Sequence, residues 1–176
     1  MSLESIIRNG ERIPLSNEDL SKYFDGKVNI VMYNDLNNTT IEKMLSPYDR
    51  YIMLYQFPGQ NVGHWVCGFR KSDGLHVFDP YGLKPDQPFD IEGIDNPQTY
   101  SSMLDQYQAS GTKVIVDSHK YQHFKRGIDT CGRHVFCRVK LSQFSDNDYE
   151  KVMLTNMIND ADKRSTLMTL GAHVTK

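Results

Sequence analysis

The sequence predicts an α+β fold, and three observations predict it. Tyr51-Ile52-Met53-Leu54-Tyr55-Gln56 is a short run apolar on both alternating faces, as a strand buried on both sides would be. Directly after it come two further strand candidates, His64–Arg70 and Leu75–Asp79, joined by the turn signal Lys71-Ser72-Asp73-Gly74, so these two pair as a hairpin. Helical signals flank the block. The most informative opens at Cys131, where a polar loop gives way to Cys131, Val135, Phe136 and Val139 on one helical face.

The chain begins with 1–13, mixed polar and apolar, which reads as a loosely held flexible arm to which no element is assigned. Ser16 is placed as the N-cap of a helix with acids in its first turn and Leu20, Tyr23 and Phe24 on one face; Asp25-Gly26 ends it. Val28–Tyr33 is a short apolar strand candidate. Thr39-Thr40-Ile41-Glu42 has capping-box spacing and starts a short helix running to about Leu45, ahead of Pro47.

Between the first central strand and the hairpin lies a loop, Phe57–Gly63, broken by Pro58, Gly59 and Gly63. Asp79-Pro80-Tyr81-Gly82 stops the hairpin, and Leu83–Asn96 is a Pro- and Gly-containing connector long enough to be a functional surface loop. A helix is expected over Tyr100–Gln108 and a β-branched strand over Lys113–Val116. The polar loop His119–Thr130 leads into the Cys131 helix. Ser145-x-x-Asp148 caps a last amphipathic helix with Val152, Leu154, Met157 and Ile158 as its apolar positions. Beyond Asp160 no apolar period persists, and 161–176 reads as a C-terminal tail.

Composition narrows the function classes. The 176 residues fit one domain, 1–176. Twenty basic against twenty-two acidic residues leave a net charge of −2, which removes any global electrostatic case for nucleic acid or an anionic membrane. No apolar run approaches the ~20 residues needed to span a bilayer. The three cysteines are odd in number and widely spaced, with no apolar N-terminal segment ahead of them, which points to free thiols in a reducing compartment.

The candidate chemistry follows from the hairpin. Antiparallel pairing around the Lys71–Gly74 turn brings His64 and Asp79 to the same open end. Cys131 stands at a helix N-terminus, where unpaired N–H groups and the helix dipole favour a thiolate, and Gly132 beside it has no Cβ to keep other groups away. Together these are the parts of a Cys–His–Asp nucleophilic site. Cys131 attacks a carbonyl carbon, His64 takes the thiol proton and later protonates the leaving amine, and Asp79 fixes the imidazole. The backbone N–H of Cys131 and the side-chain amide of Gln122, nine residues upstream, are the candidate oxyanion donors.

In order and spacing, Gly63-His64-Trp65, Phe78-Asp79-Pro80-Tyr81-Gly82, Gln122 and Thr130-Cys131-Gly132 resemble the adenain-type cysteine proteases. That group includes the adenovirus maturation protease, its relatives in virophages and large DNA viruses, and the SUMO-specific proteases. The resemblance covers roughly His64–Val139 and implies a mixed central β-sheet packed by helices, the nucleophile at the N-terminus of a central helix. It implies catalytic roles for His64, Asp79, Gln122 and Cys131, and a substrate groove touching Gly63, Trp65 and Gly132. The gap from Gln122 to Cys131 is a little longer than the family's. Motif flanks lean toward the viral members, so the expected substrates are viral structural precursor polypeptides, cut at a small-residue motif containing glycine. The expected setting is the host cell cytoplasm or viral factory, with packaging in the virion. No metal or other cofactor is expected; an activating peptide or nucleic acid enters by resemblance only.

Other readings compete. SUMO or ubiquitin-like conjugates are the alternative substrates, but the 63 residues ahead of His64 offer little surface for docking a folded body, which buries on the order of 800 Å² per partner. A catalytically inactive module binding ubiquitin-like proteins is a second alternative. His64-x-x-Cys67 with Cys131-x-x-His134 has the residue types of a zinc site, although residues three apart on a regular strand point oppositely. Trp65 is equally a core residue, Cys67 and Cys137 read as structural, and the basic, aromatic segment His119–Arg126 reads as a solvated loop beside the site.

Overall fold

A computed structural model describes residues 2–58, 63–93, 98–154 and 160–174. Among the described residues five strands form one mixed sheet in sequence order: β1 (Asn29–Met32), β2 (Arg50–Gln56), β3 (Gly63–Lys71), β4 (Gly74–Phe78) and β5 (Val114–Asp117). The pairs β1–β2 and β4–β5 are parallel, and β2–β3–β4 is antiparallel. The expected hairpin is β3–β4, with Lys71 opposite Gly74 and Cys67 opposite Phe78.

The helices are α1 (Leu3–Glu11), α2 (Asn17–Tyr23), α3 (Ile41–Leu45), α4 (Gln87–Ile91), α5 (Thr99–Ala109), α6 (Cys131–Lys140), α7 (Asp146–Leu154) and α8 (Ala161–Val174), with a 3₁₀ turn over Tyr33–Asn38. The caps expected at Ser16 and Ser145 form, whereas the N-cap of α3 is Thr40, one residue on from the Thr39–Glu42 capping-box spacing, with Lys43 in place of an acid at its third position. Ser16 and Asp19 make a reciprocal capping box, Thr40 accepts from the Lys43 N–H at 3.2 Å, and Ser145 accepts from the Asp148 N–H at 3.2 Å.

The two-residue period of the strands divides the core. Ile52, Trp65, Cys67, Phe69 and Phe78 face one cluster, shared with α2, α6 and α7; Tyr51, Met53, Tyr55, Val66, Leu75 and Val77 face another, shared with α3, α4 and α5. Both faces of the sheet are covered, so β2 is apolar on both faces from Tyr51 to Tyr55, between Arg50 and Gln56 at its ends. The connector after β4 is tied down by Asp86, 1% exposed, which accepts from the Tyr33 hydroxyl, the Tyr100 and Ser101 N–H groups and the Ser101 hydroxyl.

The ends of the chain differ from expectation. The segment read as an arm is α1, N-capped by Ser2, and the segment read as a tail is α8; the two pack on each other, and α8 packs on α6. The residues that α8 buries are Ala161, Asp162, Ser165, Thr166 and Thr169, a helical period carried mostly by polar side chains. Met157 and Ile158 lie outside the described residues.

Candidate active site

The open end of the hairpin places a histidine against a carboxylate. His64 Nε2 lies 2.9 Å from Asp79 Oδ1, and each residue is 5% exposed. Asp79 Oδ1 also accepts from the Tyr81 N–H at 2.8 Å, and the Tyr81 ring stacks on the imidazole at 4.8 Å between centroids. Tyr81 lies within the quoted Asp79–Gly82 motif, yet nothing in its spacing announces a ring over His64. The same short segment reaches the oxyanion candidate: the Pro80 carbonyl accepts from the N–H groups of both Tyr121 and Gln122, at 2.9 Å each.

Cys131 is the first residue of α6 and packs with Trp65 and Val135 in the core. Burial alone pushes the His64 imidazole down, but the Asp79 charge, its hydrogen bond, and the hydrogen bond and charge of Cys131 outweigh burial and push it up to about 10. With Nε2 occupied by Asp79, Nδ1 is the nitrogen left for the thiol. The other cysteines differ. Cys67 and Cys137 are fully buried; burial pushes the Cys67 thiol far up and the Cys137 thiol up to about 12.

Gln122 is 2% exposed and lines the same cleft. Its Nε2 donates to the Ile128 carbonyl at 3.2 Å, which fixes the amide plane and leaves a second N–H on the same nitrogen. Its Oε1 is buried without a partner. Exchanging the two ends of the amide would set oxygen against the Ile128 carbonyl, so the nitrogen belongs where it is.

A cleft of about 680 Å³ opens over these groups. One wall is Pro14–Glu18, the other comes from Leu83, Pro88 and Ile91, and His64, Gln122 and Cys131 lie along it. Gly63 and Trp65 also line it. Trp65 is both groove and core, 4% exposed with its indole N–H donating to the Leu15 carbonyl at 3.1 Å. Gly63 packs against its neighbouring strand, since a Cβ there would lie 2.5 Å from the Tyr55 carbonyl oxygen. Gly132 is not among the residues lining the cleft. A Cβ on it would meet Leu15 and Trp65 at 3.1 and 3.3 Å, so its smallness admits the protein's own α6–Trp65 packing. Leu15 was not a sequence candidate, because its role is carried by a backbone carbonyl.

The residues of the zinc reading are not gathered. His134 Nε2 is bound to Asp162 Oδ1 at 2.8 Å, and among the described residues the closely grouped ligand atoms belong to His123, Asp160 and Asp162.

No protein-family model matches the chain. The uncharacterized protein V9 of Sputnik virophage is 32% identical to it over 151 residues, spanning 80% of this chain and 83% of V9. Among solved structures, the ASFV pS273R protease superposes with a TM-score of 0.52 at 12% identity, covering 90% of this chain and 68% of that one. The SUMO protease Ulp1, solved with its catalytic cysteine oxidised to a sulfenic acid, superposes with a TM-score of 0.43 at 14% identity, covering 99% of this chain and 84% of that one.

Proposed function

We propose, starting from the fact that the chain belongs to the family of virophage protein V9 and from its fold likeness to the ASFV pS273R protease, that it is a cysteine endopeptidase of the adenain type. One observation carries the reading: a buried His64–Asp79 pair meets the thiol of Cys131 at a helix N-terminus along an open cleft. In the reaction, Cys131 Sγ attacks the scissile carbonyl carbon while its proton resides on His64. The oxyanion is met by the Cys131 N–H and the free N–H of Gln122. The tetrahedral intermediate collapses as His64 protonates the leaving amine, which leaves a thioester on Cys131. Water, deprotonated by His64, then attacks the thioester, releasing the new carboxylate and restoring the thiol–imidazole pair. Asp79 holds the ring and stabilises its charged form.

The substrates in this reading are viral structural precursors, presented as extended peptides whose backbone can lie in the cleft. The viral origin of the relative favours a viral substrate, and the place of action that goes with this reading is the host cell cytoplasm or viral factory and the virion. The test is to incubate the protein and its Cys131→Ala variant with a capsid precursor and, at equal concentration, with a SUMO fusion, and to map cuts by mass spectrometry. Cleavage of the precursor by the parent chain alone is expected. Cleavage of the fusion only would reassign the substrate, and turnover by Cys131→Ala would remove the nucleophile.

A further inference from the structure

We propose that Asp162, on the first turn of α8, is a positioning residue that holds the two oxyanion donors in register; this rests on the protease reading above. Asp162 is 1% exposed, and its two oxygens serve two different segments. Oδ2 accepts from the His123 N–H at 2.9 Å and from His123 Nδ1 at 2.7 Å. Oδ1 accepts from the Thr130 hydroxyl and lies 2.8 Å from His134 Nε2. His123 directly follows Gln122, and Thr130 directly precedes Cys131. A single carboxylate therefore touches the neighbour of the side-chain donor and the neighbour of the backbone donor.

The remaining anchors of the loop stop short of the Thr130–Cys131 junction: the Gln122 amide crosses the loop to the Ile128 carbonyl at 3.2 Å, two residues before Thr130. Pro80 holds the Tyr121–Gln122 end, and the Glu11 carbonyl holds the other end through the Asp129 N–H at 2.7 Å. The bridge also alters the helix start. A threonine at the N-cap ordinarily accepts from an N–H of the first turn. Thr130 makes no such side-chain bond; its hydroxyl is turned to Asp162, so no side-chain acceptor competes for the N–H groups at the mouth of α6. Burial raises the Asp162 carboxyl, but its bonds to His134, Thr130 and His123 win and hold it below the ordinary carboxylate range, even with Asp160 and Glu11 nearby. An ionised group that only accepts is what four converging donors require.

Asparagine has one acceptor oxygen and one donor nitrogen, so Asp162→Asn must break one arm of the bridge. Its turnover should be measured on an internally quenched peptide spanning a Gly-Gly bond and divided by active sites counted with a thiol-directed peptide trap. Turnover per titrated site should fall by about 10- to 100-fold, within the cost of one misplaced oxyanion donor, with KM changed by less than about threefold. Alkylation of Cys131 by iodoacetamide should keep its rate, because His64 and Asp79 are untouched. In a Gln122→Ala background the same change should cost less than about threefold, since without the Gln122 amide no second donor remains to be kept in register with the Cys131 N–H. Thr130→Val, which removes one arm from a protein of nearly unchanged shape, repeats the comparison if Asp162→Asn does not fold. Wild-type turnover per titrated site in folded variants, or full multiplication of the losses in the double variant, overturns the positioning role alone. A parent protein that cleaves no peptide and takes up no trap on Cys131 overturns the protease reading and this one with it.

Discussion

His64 is charged over an unusually wide pH range for a histidine, and that sets how the site should titrate. Burial disfavours the imidazolium, yet the Asp79 carboxylate at 2.9 Å and Cys131 beyond it raise its pKa to about 10. The sign is that of a raised histidine. The stability this charge contributes is fully present below the ordinary value near 6.5 and is lost progressively as pH rises from there through the folded value. Activity should hold through neutral pH and fall on the alkaline side, the apparent value belonging to the thiol–imidazole pair. In Asp79→Asn the largest raising contribution is gone and burial remains, so the alkaline limb of kcat/KM should move down by about 1–3 pH units. A limb at the same pH in both proteins would show that Asp79 does not govern the ring. The three residues were legible in the sequence because hairpin register and helix onset are local properties. The place of Gly132 was not: what approaches a missing Cβ depends on Leu15 and Trp65, which are distant in sequence.

The α6 helix shows why some elements could be read and others could not. One of its faces, Cys131, Val135, Phe136 and Val139, is apolar, and the sequence displays it. Up to Val139 the remainder is buried too, and its charged members by polar means. Arg133 donates to the Gly10 carbonyl at 3.1 Å and to the Thr169 hydroxyl at 2.5 Å, and Arg138 lies between the Phe69 and Tyr149 rings while pairing with Asp146 at 2.7 Å. The partner helices α1 and α8 accordingly present carbonyls, hydroxyls and Asp162 to α6, and a search for apolar periodicity passes over them. Their own crossing is close, and it supplies a test. A Cβ on Gly10 would lie 2.6 Å from Thr166 Cγ2, on a β-branched side chain that is fully buried. Alanine gains at most about 1 kcal/mol over glycine as a helix former. The overlap should cost about 1–3 kcal/mol, so Gly10→Ala should lower the melting temperature. Adding Thr166→Ala should recover much of the loss. A Gly10→Ala protein more stable than the parent would mean the two helices are not in this contact.

Across the whole molecule, charge is nearly balanced, at a net −2, but it is not evenly spread over the cleft. Glu18, Glu92 and Asp129 line it and are exposed, whereas no lysine or arginine is among its described lining residues. These carboxylates come from α2, the end of α4 and the loop before α6, so the acidic lining belongs to the assembled fold and to no single stretch of sequence. An extended peptide lying there passes all three carboxylates. Each exposed ion pair is worth about 0.2–1 kcal/mol, so two engaged together would change KM by about 2- to 30-fold. A peptide with lysine on either side of the scissile bond should therefore be cut with a higher kcat/KM than one with glutamate in the same places, and the difference should lie mainly in KM. Because the carboxylates are solvated, the preference should shrink as salt shortens the Debye length from ~10 Å at 0.1 M to ~3 Å at 1 M. Glu18→Gln with Asp129→Asn should reduce it at low salt and leave turnover of an uncharged peptide as it was. Equal kcat/KM for the lysine and glutamate peptides in 50 mM salt would show that the substrate chain does not run past these walls, and would place its path on another side of Cys131.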